Sequence, residues 1–247
     1  GSSNSIACAN IMLNSAVAES LRVYADRLEK AKDFSSELHD LIKETVKEHK
    51  KILFNGNGYD DSWIKEATEK RGLINYRTTP DCMPHLLDRK NTDMLISHGV
   101  FSMSELKSRC EIMLDNYCKT VIIEANTMID MVGKEILPAL AAYTSDIADS
   151  ISKKKAADDS VSCGYEKQTL RKLSVIADSI AIKNGELEDE VIAVRAIPDV
   201  EKQGYEIRDK LLSKMSELRL LCDQAETKTS KKYWPYPSYA DILFSVR

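Results

Sequence analysis

Glycine and proline are scarce in this chain, nine and six among 247 residues. Few breakers leave few turns, few turns leave long elements, and long elements point to helices. A basic excess is also missing: the net charge is −4 and the isoelectric point about 5.7. The basic runs (Lys47 to Lys51, Lys153 to Lys155, Lys228 to Lys232) are short and fall at predicted helix ends. There cations complement the helix dipole, so neither a nucleic acid nor a membrane is expected as a partner. The six cysteines contain no C-x-x-C pair, and Cys110, Cys118 and Cys222 lie inside helical patterns. This fits a reducing, cytoplasmic compartment better than a disulfide framework. No apolar run approaches the ~18 residues of a membrane span, and no signal peptide is visible.

Catalytic motifs are missing too. The residues three before His39, His49, His85 and His98 are Ser36, Val46, Cys82 and Leu95. None is Glu, which excludes the Glu-x-x-His pairs of a di-iron bundle. Asn55-Gly56-Asn57-Gly58 lacks the Gly-Lys-Ser/Thr of a phosphate loop and reads as a stop and turn after a helix. Cys82-Met83-Pro84-His85 has half of a zinc spacing, with no second pair nearby. Glu124 and Asp130 read as flank charges of a long helix rather than an acid–base pair. No Gly-x-Ser-x-Gly occurs. No catalytic, cofactor-binding or metal-binding residue is therefore assigned.

What is present is helical period. Ile6, Ala9, Leu13, Val17, Leu21, Tyr24, Leu28 and Ala31 recur every three or four residues, predicting a helix from about 5 to 32. Asp33 can cap a second helix to about Phe54. Asp60 caps a short helix that stops at Arg71-Gly72, and Thr79-Pro80-Asp81 starts another, with Thr79 as the cap. Ser102 and Glu105 have capping-box spacing, and Phe101 and Leu106 staple spacing. They open a helix from 103 to about 155, ~80 Å long, which Pro138 is expected to kink.

After a polar loop, Leu170, Leu173, Ala177, Ile180, Asn184, Leu187, Val191 and Val194 form a coiled-coil seam with one polar position, weakened at Gly185. Asp199 opens the last long helix, with Leu211, Met215, Leu218, Cys222 and Ala225 as its seam. The fold class is all-α: a short-helix region followed by a long antiparallel three-helix bundle or coiled-coil arm. The expected divisions are 1–32, 33–100, 101–230 and an aromatic tail, 231–247. Tyr233, Trp234, Tyr236, Tyr239 and Phe244 of that tail are candidate interface residues, either packed on their own domain or docking a partner. Ser238 and Asp241 have capping-box spacing.

Several stretches also carry a family likeness. Phe54-Asn55-Gly56-Asn57-Gly58-Tyr59, Trp63-Ile64-Lys65-Glu66-Ala67, Lys70-Arg71-Gly72-Leu73 and Thr78-Thr79-Pro80-Asp81 resemble the C-terminal region of type III glutamine synthetases. So do Gly99-Val100-Phe101-Ser102 and the ending from Tyr233-Trp234-Pro235-Tyr236-Pro237 to Asp241. The opening Gly1-Ser2-Ser3-Asn4-Ser5 is similar to the segment after that family's catalytic Glu-Phe-Arg stretch. The resemblance implies a parent enzyme that joins ammonia to glutamate using ATP and Mg²⁺ or Mn²⁺. It implies a homo-oligomer of stacked hexameric rings, whose catalytic residues lie upstream of Gly1. This chain would then be inactive alone: residues 1–32 complete the catalytic domain, and the rest makes subunit and ring contacts. The rival reading is an autonomous helical scaffold or adaptor that binds a partner helix in its groove.

Overall fold

The computed structural model describes residues 5–244. Gly1 to Asn4 of the family-like opening lie outside the described residues, as does the side chain of Tyr239. Among the described residues there is no strand; the fold is all-α. The chain divides into two compact units, residues 1–113 and 114–247.

The first unit holds α1 (Ala7–Leu28), α2 (Phe34–Glu48), α3 (Asp61–Lys65), α4 (Thr79–Cys82), α5 (Arg89–Ser97) and the start of α6 (Met103–Met131). Its caps follow the local chemistry. Asp33 accepts from Ser35 N at 3.2 Å and Asp60 from Ser62 N at 2.8 Å. Ser102 and Glu105 close their capping box, with Ser102 N donating to Glu105 Oε2 at 2.7 Å. Gly72 and Gly99 end their segments at φ +62° and +65°, where a side chain would be strained.

Two expectations shift. The second helix ends at Glu48, not near Phe54, with a 3₁₀ turn at Lys50–Ile52. Its one buried residue is Leu41; beyond it Ile42 and Val46 are exposed. The α4 cap is Thr78 rather than Thr79, because the Thr78 hydroxyl is the one that accepts from Asp81 N. The core of this unit is small: Leu41, Pro80, Leu86, Leu95, Leu106 and Cys110 are its buried apolar side chains.

The second unit is a three-helix bundle. Its first helix passes from α6 through a π turn, Val132–Ile136, into α7 (Leu137–Ala157). A short loop leads back along α8 (Gly164–Arg195), and Asp199 caps α9 (Val200–Glu206) by accepting from Lys202 N. A second π turn, Ile207–Leu211, joins α9 to α10 (Leu212–Glu226). One continuous core runs through all three helices, including Val121, Ala125, Leu140, Leu173, Ile180, Leu187, Leu211 and Leu218.

The break expected at Pro138 takes the form of the π turn. Leu137 N donates to Val132 O, so one residue is absorbed just before the proline removes a donor. Gly185 does not interrupt α8, which is continuous over 32 residues. Asn184 and Leu187 on either side are buried, and Lys183 bridges to Glu186 and, across to α10, to Glu217. Tertiary packing here outweighs the propensity cost of one glycine.

Candidate functional site

The aromatic tail is built onto the bundle from the end of α10. Thr229 Oγ1 donates to Ala225 O at 2.7 Å, and Tyr233 N to Ser230 O at 2.8 Å. This turn lays Tyr233 against Tyr143 of α7, ring centroids 4.9 Å apart, and its hydroxyl donates to Asp146. Trp234 and Tyr236 meet edge to face at 6.4 Å and pack on the bundle core. Burial, and next the carboxylate of Glu135, push the Tyr236 phenol up to about 12.

Beyond this strap the capping box forms as the spacing predicts and opens α11 (Tyr239–Leu243). Lys231 pairs with Asp241. That lysine first, then the Ser238 hydroxyl and backbone, hold the Asp241 carboxyl down at about 2. Ile242, Leu243 and Phe244 are exposed, Phe244 to 81%. Of the five candidate interface residues, Tyr233, Trp234 and Tyr236 thus face their own bundle and Phe244 faces outward.

The first unit presents a second surface. Only Ser15 of α1 is buried, while Leu13, Val17 and Leu21 on its apolar stripe are exposed. Between α1 and α2 lies an apolar groove of about 430 Å³, lined by Leu21, Tyr24, Leu28, Leu38, Ile42 and Val46 among others. A larger one, about 1030 Å³, separates α1 from the segment of α4 and α5. Glu19 of α1 reaches His98 at the end of α5 at 2.7 Å. Arg22 first, and then His98, hold the Glu19 carboxyl down at about 2.

The motifs weighed in the sequence take structural places. In the Asn-Gly-Asn-Gly turn, Asn57 Oδ1 accepts from Tyr59 N at 3.1 Å. Phe54 stacks on Trp63 at 3.8 Å, and Arg71 lies over Trp63 at 4.9 Å. Arg71 also donates to the carbonyls of Lys51 and Leu53 and to Glu66. It is the organiser of the block, which the sequence signalled only as the residue before a helix-stopping glycine. His85 pairs with Asp88 at 2.8 Å and stacks on Tyr76. Asp130 pairs with Lys134 at 2.8 Å, and Glu124 is exposed.

Among the described residues no group of three His, Cys, Asp or Glu side chains could hold a metal ion. The Mg²⁺ or Mn²⁺ that the family resemblance implies has no fitting ligand set in them. No helix of the described residues is long and apolar enough to cross a membrane.

Residues 37–155, spanning α2 through most of α7, match the family model described as the glutamine synthetase C-terminal domain. This chain carries a glutamine synthetase C-terminal domain. It is 35% identical to the glutamine synthetase of Butyrivibrio fibrisolvens, over 87% of this chain and 31% of that protein. It is 30% identical to the type-3 glutamine synthetase of Dictyostelium discoideum, over 99% of this chain and 34% of that protein. The glutamine synthetase of Bacteroides fragilis (strain YCH46) is 23% identical over 99% of this chain and 35% of its own length. The chain thus spans about a third of the curated relatives it matches.

Proposed function

We propose that this chain is the non-catalytic C-terminal portion of a type III glutamine synthetase and serves subunit and ring assembly in the cytoplasm. The observation that carries this reading is the relative named type-3, aligned along 99% of the chain while the chain makes up 34% of it. In the whole protein, ATP, a divalent metal, glutamate and ammonia are handled by the other two thirds. This portion supplies packed helices and apolar surface. The exposed α1 stripe supports that division.

The test is an assay of the pure chain with ATP, Mg²⁺, glutamate and ammonia. Neither glutamine nor ADP is expected to form, and sustained turnover would overturn the reading. Sequencing the gene upstream of the Gly1 codon is the companion test. An open frame running into a catalytic domain is the expected result. A second reading, a scaffold that takes a partner helix, draws on the apolar α1–α2 groove. It becomes the better one if a start codon lies just before residue 1.

A further inference from the structure

Cys110, Cys118, Cys163 and Cys222 are buried, whereas Cys8 is half-buried and Cys82 exposed; none of the six is in a disulfide. The two accessible thiols line the same groove, the one of about 1030 Å³ between α1 and the Thr79–Leu87 segment. They stand on its two walls: Cys8 in the first turn of α1, Cys82 at the last residue of α4.

The wall that carries Cys8 has few buried contacts. The N-cap of α1, Ile6, makes no side-chain cap hydrogen bond, and only Ser15 of the helix is buried. One first-turn donor, Ala7 N, is met by Ser5 Oγ at 3.2 Å, but a helix start with so few buried contacts opens at little cost. The Glu19–His98 pair holds α1 farther along, three helical turns from Cys8, so the first turns can swing while the middle stays anchored.

We propose that Cys8 and Cys82 are a redox-responsive pair whose disulfide closes this groove. A disulfide holds its Cα atoms within about 7 Å, so forming it draws the start of α1 onto α4 and removes the open space between them. The chemistry is thiol–disulfide exchange with a small-molecule disulfide such as oxidised glutathione. The thiolate of one cysteine attacks the oxidant's S–S bond, giving a mixed disulfide and releasing one reduced thiol. The second cysteine, as thiolate, then displaces the other reduced thiol. One oxidant is reduced to two thiols, and two protein protons are released to them or to water. Both accessible sulfurs are consumed by one another, and the four buried cysteines are left untouched.

The test is to treat the chain with oxidised glutathione and map its peptides without reduction. A Cys8–Cys82 linked peptide is expected, with a mass loss of two hydrogens and a rate independent of protein concentration. Amide exchange in the first turns of α1 is expected to slow in the oxidised form and recover with dithiothreitol. Cys8→Ser and Cys82→Ser, each at an accessible site, are expected to abolish the link. Glutathione retained separately on both cysteines overturns the proposal, and so does a cross-link between two chains whose rate rises with concentration.

Discussion

Gly72 and Gly185 show how one residue type plays opposite parts. At φ +62° an alanine side chain is strained whatever the space around it, so Gly72→Ala is expected to cost about 1 kcal/mol. Gly185 lies inside α8, where an added Cβ meets nothing within 4 Å. Gly185→Ala should therefore stabilise the chain by about 0.5–1 kcal/mol. Urea unfolding of the two variants checks both signs; a gain at Gly72 or a loss at Gly185 contradicts the assignment. The stop at Arg71-Gly72 was legible in the sequence because left-handed backbone selects glycine. The work of Arg71 was not. Its carbonyl partners lie 18 and 20 residues away, and no local pattern encodes such reach. Asn184 was legible as a polar break in an apolar seam, and it is buried in the bundle with its Oδ1 lacking a partner.

At the scale of elements, the starts of helices with side-chain caps were readable to within a residue or so, because the capping groups and the donors they satisfy are neighbours in sequence. Ser102 with Glu105, and Ser238 with Asp241, are examples. The π turns were not readable: they adjust one helix to another, and that demand exists only after packing. The tail fell between these cases. Its aromatics suit an interface or a core equally, and it is the contact of Tyr233 with Tyr143 and Asp146, with Trp234 and Tyr236 on the core, that places it on the bundle. That placement makes the strap sensitive to base. The Tyr236 phenol titrates near 10 when free and is raised to about 12 in the fold. A raised value means the strap's contribution is complete below pH 10 and is lost as pH rises from about 10 toward 12. With Trp63→Phe removing the other tryptophan, Trp234 fluorescence should report release of the strap in that window. Far-UV circular dichroism of the bundle should persist through it. Release already complete at neutral pH would contradict the packing described.

For the whole molecule, the uneven distribution of buried apolar surface matters most. The bundle has a continuous core, while α1 leaves Leu13, Val17 and Leu21 in water. An apolar stripe kept at regular helical spacing over 22 residues yet left uncovered is the signature of a contact surface. The chain spans about a third of its relatives, and on the function proposed above the rest of the enzyme's polypeptide would cover this face. Leu13→Glu combined with Leu21→Glu separates a contact role from a folding role. Both side chains are more than half exposed (64% and 62%), so stability should change by no more than about 0.5 kcal/mol for each. Apolar-dye binding and self-association of the chain should fall together, because charge on the stripe removes the surface both depend on. In the whole enzyme the same pair of changes is expected to impair assembly. If the double variant unfolds instead, α1 is held by its own unit more firmly than its exposure implies, and the face is structural. If dye binding and association are unchanged, the surface that matters lies elsewhere, with the outward Ile242, Leu243 and Phe244 of the tail next to be tested.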